Sequence, residues 1–321
     1  MINFTRAFDL AWERMHVILF RPFDFGKCCA IGFSAFLAGL LEGGNGFNTS
    51  YQRNFNSNTF NGSGGQTPQI ELHQFNTNLS HWLSSSYFVA FVLIFLLMMA
   101  FVFALIFLMY WLGARGEFMI LDNIVRNRGA IAWPWKYYER QANSLFGFYL
   151  LILLISFAIF IPIVVAVIVM CIPLFQHQRW PEGGEIAGFV ALGLLYLGTA
   201  IVLGFIMFVF REFGVPIMFR QGLLARPAFW KVMDLVKQHA GSVAVFVLLR
   251  IAIFIGVAVL SIILCCVTCC TELIPYVGTV MLLPVLIYVR CFTLDCLAQF
   301  GPEYDVWTVD VPPLSPPPPP G

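Results

Sequence analysis

Six apolar stretches, separated by short polar segments and one long polar loop, most constrain how this 321-residue chain can fold. A helix needs about 20 residues to cross roughly 30 Å of hydrocarbon. Inside a bilayer a helix is also one of the few structures that satisfies every backbone polar group. The stretches therefore predict transmembrane helices, the first and last of them short. We place them at residues 25–41, 87–112, 146–173, 187–210, 242–266 and 274–289.

The composition supports a membrane protein. Hydrophobic residues make up 60% of the chain and charged residues only 11%, whereas soluble domains contain about 25% charged residues. The net charge of +1 excludes nucleic acid as an expected partner, because phosphate binding requires a concentrated surplus of Lys and Arg.

The stretches pair into three hairpins with a common ending. An Arg and a Phe follow the second stretch of each hairpin, in Arg115-Gly116-Glu117-Phe118, Arg211-Glu212-Phe213 and Arg290-Cys291-Phe292. At an offset of 95 residues, Glu117-Phe118 aligns with Glu212-Phe213. Such regularity predicts three copies of one supersecondary unit.

An amphipathic segment precedes each hairpin. In the first segment, apolar side chains recur at helical spacing, at Phe4, Phe8, Ala11, Trp12 and Met15, which favours a helix lying in the membrane interface. Aromatic residues beside Lys and Arg are typical of that interface. We expect three interfacial anchors, at Trp12, Trp135 and Trp230.

The predicted fold is an all-α polytopic membrane protein with six transmembrane helices, arranged as three repeats of an interfacial amphipathic helix plus a transmembrane hairpin. The expected divisions are repeat units at 1–112, 113–210 and 211–298, with an extracytoplasmic Gly/Asn-rich loop at 42–86 and a Pro-rich tail at 299–321.

Basic residues set the expected orientation. With six crossings, fifteen of the eighteen Lys and Arg residues lie on the side of the N-terminus, and only Arg53 and Arg179 lie opposite. Arg250 remains within a span. Because cytoplasmic loops carry an excess of Lys and Arg, both termini are predicted to be cytoplasmic.

Several motifs resemble those of an uncharacterised family of bacterial six-span membrane proteins. They are Ala11-Trp12-Glu13-Arg14, Phe20-Arg21-Pro22-Phe23, Arg115-Gly116-Glu117-Phe118-Met119, Leu121-Asp122-Asn123 and Gln299-Phe300-Gly301-Pro302-Glu303-Tyr304. That family is similar to the membrane domain that precedes the catalytic domain in some bacterial glycerophosphodiester phosphodiesterases. The resemblance implies a bacterial inner (cytoplasmic) membrane location. It implies no phosphodiesterase activity, because the 321 residues contain no soluble hydrolase domain.

The cysteines and histidines give weak site predictions. Cys265, Cys266, Cys269 and Cys270 cluster at the outer end of the fifth stretch, where the alternatives are small packing residues, disulfides or a soft-metal site. His73 and His81 share the polar loop with Glu71, but such a loop commonly contains these residues without a metal. We expect no metal and no cofactor.

Arg250 is the intramembrane ionisable residue, which makes it a candidate functional site. It can extend to the interface, pair with Asp295, or bind the headgroup of an anionic lipid. We expect no pair of carboxylates within the membrane, and no catalytic signature is present in the sequence.

The sequence favours a non-enzymatic integral membrane protein that binds lipid, or a protein partner at its cytoplasmic face, through the interfacial helices. The alternative is a transporter or permease of a small molecule or lipid, which would need polar groups near the middle of the membrane. Beyond Arg250, the third to sixth stretches offer few such groups.

Overall fold

The computed structural model of the protein describes residues 3–21, 23–40, 86–177, 183–267 and 275–308. Within these ranges the secondary structure is helical and contains no strand. The helices are α1 (Phe4–Phe20), α2 (Phe25–Gly39), α3 (Ser86–Val125), α4 (Ala132–Tyr137), α5 (Glu139–His177), α6 (Gly183–Val209), a π-helix (Phe210–Gly214), α7 (Val215–Gln221), α8 (Ala225–Gln238), α9 (Ala240–Val267), α10 (Pro275–Met281), α11 (Leu283–Ala298) and a short 3₁₀ helix (Val306–Thr308).

The chain forms two compact units. The smaller one is Asn48–Tyr110, and its described part, 86–110, is the apolar first part of α3, with its described side chains mostly exposed. The larger one comprises Met1–Phe47 and Trp111–Gly321, and it is called the main unit below. All contacts given below lie within the main unit.

Four helical segments in the described residues are long and apolar enough to cross a membrane. They are Ala90–Val125, Glu139–Leu174, Gly183–Gln221 and Ala240–Leu264. These segments confirm an all-helical fold, with four candidate spans, for the part of the chain that the structure describes.

The first and sixth apolar stretches give shorter helices. α2 has 15 residues, which at 1.5 Å per residue is about 22 Å, less than the hydrocarbon thickness. The sixth stretch divides at Leu282 into α10 and α11, and Pro284 lies in the first turn of α11, where its missing N–H costs no hydrogen bond. The crossing of the membrane by these two stretches stays a prediction.

The N-terminal helix packs mainly on protein. Asn3 caps the N-terminus of α1, because its side chain accepts a hydrogen bond from the Arg6 N–H. The helix lies along α11. Ala11 and Met15 are buried, and the Phe8 ring stacks on Phe292 with centroids 4.5 Å apart. Much of the apolar stripe predicted to face lipid is therefore used for packing within the protein, and Trp12 is its most exposed large residue.

The end of α2 touches α3 at a glycine. A Cβ atom added to Gly116 would clash with the Ala38 backbone nitrogen and would lie 2.6 Å from the Leu37 carbonyl carbon. Because the opposing atoms belong to backbone, no side chain can rotate to make room. The contact therefore requires glycine in the Arg-Gly-Glu-Phe ending of α3.

Replacing Gly116 with alanine should destabilise the protein. The added methyl group overpacks the contact between α2 and α3, a change that typically costs about 1–3 kcal/mol. Gly198→Ala is the matched control, since nothing lies within 4 Å of its added Cβ and alanine is favoured over glycine within a helix. Thermal unfolding in detergent should show a lower midpoint for Gly116→Ala and an unchanged or higher one for Gly198→Ala. Equal midpoints for the two variants would contradict the close approach.

Candidate functional site

Glu117 is a buried carboxylate bound by two arginines. Its side chain, near the end of α3, is 1% exposed. Arg211 donates from Nε to Glu117 Oε1 at 2.9 Å, and Arg290 donates from one terminal nitrogen to both carboxylate oxygens at 2.8 Å. Charge-assisted hydrogen bonds of this kind offset the cost of removing a carboxylate from water.

Glu212 is a second buried carboxylate with partners of its own. Arg250, on α9, donates to Glu212 Oε1 at 2.8 Å, and the Thr293 hydroxyl, on α11, donates to Oε2 at 2.9 Å. Glu212 lies in the π-helix directly beside Arg211. Single π-helical turns occur often at functional sites, and here the turn carries an arginine bound to Glu117 beside a glutamate bound to Arg250.

These side chains form one connected set, which we call the carboxylate–arginine network: Glu117, Glu212, Arg211, Arg250, Arg290 and Thr293. It joins the end of α3, the π-helix, the first half of α9 and the second half of α11. Three guanidinium groups face two carboxylates, so the network carries a positive charge in excess. Both glutamates lie within candidate membrane spans.

A small cavity borders the network. Its polar lining comes from Glu117, Glu212, Arg290 and Thr293, and apolar side chains such as Ile120 and Leu294 complete the wall. The volume of about 10 Å³ corresponds to roughly one water molecule. The polar groups of the network therefore border a space of about the size of one water molecule.

Two further buried carboxylates secure the ends of helices. Asp122, fully buried on α3, pairs with Arg126 at 2.9 Å and Arg128 at 2.7 Å and accepts a hydrogen bond from the Tyr138 hydroxyl. These contacts hold the loop after α3 against the second amphipathic segment.

Asp295 does the same for the two ends of the described chain. The Arg14 guanidinium lies between Asp295, with an Nε–Oδ1 distance of 3.2 Å, and the Trp307 ring, 3.6 Å from its centroid. Asn3 and Gln299 add a reciprocal pair of hydrogen bonds between backbone and side chain. α1, α11 and the 3₁₀ helix are thereby joined.

The family assignment rests on nearly the whole chain. A family model described as a family of unknown function, DUF7544, matches residues 3–301. The chain belongs to the DUF7544 family. No curated protein and no solved structure matches it. The DUF7544 match covers every residue of the carboxylate–arginine network, while the similarity to phosphodiesterase membrane domains stays a prediction.

Of the alternatives for Arg250 in this DUF7544 protein, pairing with Asp295 is not the arrangement in the structure. Arg250 pairs with Glu212, and Asp295 pairs with Arg14. Glu117 and Glu212 line one cavity, but they follow the predicted stretches 87–112 and 187–210, so the absence of paired carboxylates within the membrane stays a prediction. The repeated Glu-Phe after the second and fourth apolar stretches is the sequence signal at both glutamates, and by itself it indicates only a repeat.

The predicted anchors differ in their surroundings. Trp12 and Trp230 are 62% and 59% exposed. Trp135 is less exposed than these two. Its ring lies edge-on to that of Trp111, and the Arg115 guanidinium lies over it, 4.8 Å from the ring centroid. Trp135 thus also packs inside the main unit.

The remaining site predictions fall largely outside the described residues of the DUF7544 protein. Cys269, Cys270, His73, His81 and most of the polar loop lie there, as does the Pro-rich end of the tail. Cys266 is exposed near the end of α9, and nothing is described of the Cys265 side chain. Among the described residues, no group of three His, Cys, Asp or Glu side chains is placed to hold a metal ion.

Removing the Glu117 carboxylate should strongly destabilise the protein. Glu117→Gln leaves Arg211 and Arg290 beside a neutral amide, and breaking a buried ion pair costs about 3–5 kcal/mol. The control is Glu13→Gln, since Glu13 is exposed on α1 and exposed charges contribute about 0–1 kcal/mol. Thermal unfolding in detergent should separate the variants clearly. Similar midpoints would show that the network contributes little to stability.

Asp295 should make stability depend on pH. Burial raises the pKa of its carboxyl from 3.8 to about 6, although the Arg14 charge opposes the shift. A raised folded-state pKa gives a contribution that is present below pH 3.8 and is lost as the pH rises through 6. The unfolding midpoint of Asp295→Asn minus that of the wild type should therefore increase between pH 4.5 and 7.5. A difference that stays constant over this range would contradict the raised pKa.

Proposed function

We propose that this protein is a non-enzymatic, multi-pass membrane protein that binds membrane lipid through its interfacial helices α1 and α8. The observation that carries the proposal is that each helix packs one face on the main unit and exposes a tryptophan on another. Trp12 is 62% exposed on α1 and Trp230 is 59% exposed on α8. Indole rings in such positions partition favourably into the headgroup region of a bilayer.

The position of α8 along the chain supports contact with the membrane surface. α8 begins four residues after Gln221, where one candidate span ends, and finishes two residues before Ala240, where another begins. Connections this short keep the helix close to the ends of both spans. An exposed aromatic residue there meets lipid more readily than bulk water.

The proposal includes six crossings as three repeats, with both termini cytoplasmic and a bacterial inner-membrane location. Burial of three phenylalanines at corresponding positions of the sequence supports the repeats. Phe118, Phe213 and Phe292 are all completely buried. Each of them contacts an aromatic ring of another segment. Phe118 contacts Tyr138, Phe213 contacts Phe246, and Phe292 contacts Phe8 in the first amphipathic segment.

Fluorescence quenching by lipid tests the proposal. In bilayers that contain phosphatidylcholine brominated near the headgroup, Trp12→Phe and Trp230→Phe should each remove a quenched component, because their rings reach the lipid. Trp307→Phe is the control, since the Trp307 ring is covered by Arg14, and it should leave the quenched fraction unchanged. If neither Trp12→Phe nor Trp230→Phe lowers the quenched fraction, these faces do not touch lipid and the proposal fails.

A further inference from the structure

The side chains of α8 divide into a protein-facing side and an outward side. Ala225, Ala228, Val232 and Leu235 are buried against the main unit. The Phe229 ring lies 5.5 Å from that of Phe148 and 6.0 Å from that of Phe210, measured between centroids. The orientation of the helix about its own axis is therefore fixed by packing.

The outward side presents a stripe that is basic and aromatic. At about 100° per residue, Arg226, Trp230, Met233 and Lys237 fall within a sector of about 60°, opposite the buried residues. Arg226, Trp230 and Lys237 are exposed. We call these four residues the α8 stripe.

The other charges of α8 lie beside the stripe or are already engaged. Lys231 points away from the stripe and donates a hydrogen bond to the Gln221 side chain. Asp234, the acidic residue of the helix, is also exposed, and it lies about 40° from Trp230, on the side away from Arg226. Within about 40° of Trp230, Arg226 and Lys237 outnumber this one acidic residue. The sector around Trp230 is thus predominantly positive.

The corresponding face of α1 has the opposite character. Around the exposed Trp12 the neighbouring exposed ionisable side chains at helical spacing are Asp9 and His16. Arg6 is exposed on α1 as well, but it lies about 120° from Trp12 around the helix. Arg21, also exposed, follows the end of α1 in an extended conformation. The two lipid-facing tryptophans therefore sit in different electrostatic surroundings.

We propose that the α8 stripe binds the headgroups of anionic phospholipids, whereas the Trp12 face of α1 contacts lipid without this preference. The inference rests on the proposed function and adds the class of lipid. Arg226 and Lys237 are eleven residues apart, which is about 16 Å along the helix, so each contacts a separate headgroup. Arginine forms two parallel hydrogen bonds with a phosphate, and lysine supplies a compact positive charge.

The test measures which lipid surrounds Trp230 in the full-length protein. The protein is reconstituted at low salt in bilayers that contain equal amounts of phosphatidylglycerol and phosphatidylcholine, with one or the other brominated near its headgroup. The Trp230 signal is the difference between each protein and the same protein carrying Trp230→Phe. The ratio of quenching by the two lipids gives the preference for the anionic one.

The double variant Arg226→Gln with Lys237→Gln should lose this preference. The quenching ratio should fall by up to about five-fold for each charge removed, because a basic residue at an anionic surface contributes about 1 kcal/mol. The control is the double variant Arg6→Gln with Arg21→Gln, which removes the same amount of charge from α1 and the residue that follows it. It should leave the ratio unchanged. Raising the salt concentration should weaken the wild-type preference.

Each alternative result has a separate meaning. Equal quenching by both lipids in the wild type, an unchanged ratio in the α8 double variant, or an equal fall in the α1 double variant overturns the inference but leaves lipid contact in place. Quenching of Trp230 by neither lipid overturns both the inference and the proposed function. In that case the α8 stripe is covered by a protein or faces water.

Discussion

Two carboxylates buried in otherwise apolar helices impose the main constraint on this structure. Glu117 and Glu212 are almost completely buried within the protein, where an isolated charge costs several kcal/mol. Each therefore requires cationic partners, and the partners come from other segments of the chain: Arg211 and Arg290 for Glu117, and Arg250 for Glu212. Since neither carboxylate can be left unpaired, the end of α3, the π-helix, α9 and α11 have to meet at one place.

The distribution of buried residues agrees with this constraint. The buried side chains concentrate near the network and the amphipathic segments, for example at 114–124, 209–219 and 283–297. In the most apolar windows of the four candidate spans, no more than 11% of the residues are buried within the protein. In a bilayer such surfaces need no protein partner, because lipid chains are as apolar as the side chains themselves. Packing at one end of the helices can thus determine how they are arranged.

The sequence predicted the helices better than their contacts. Apolar length alone identified the four long spans, since that signal depends on local composition. The endings with Arg and Phe indicate a repeat, but they do not show that Arg290 binds Glu117. For Arg250 the sequence leaves Asp295, the interface and a lipid headgroup open as alternatives. Both gaps have the same cause. Pairing between residues as distant as Glu117 and Arg290 depends on the three-dimensional arrangement, which periodicity within one segment cannot reveal.

The amphipathic segments show a related limit. A helical stripe such as Ala11 and Met15 is equally compatible with a lipid surface and with a protein surface, because both are apolar. The structure uses most of this stripe for the contact between α1 and α11, and the exposed tryptophans remain for the membrane interface.

A double-mutant cycle on Glu212 and Arg250 tests most directly whether buried ion pairs organise the protein. The two residues are joined by a 2.8 Å hydrogen bond, and Glu212→Gln, Arg250→Gln and the double variant would be compared in their free energies of unfolding. Each single variant leaves one buried group without its charged partner, so the double variant should be destabilised by much less than the sum, with a coupling energy of about 1–3 kcal/mol. Additive effects would show that the pair is not coupled and would contradict the account.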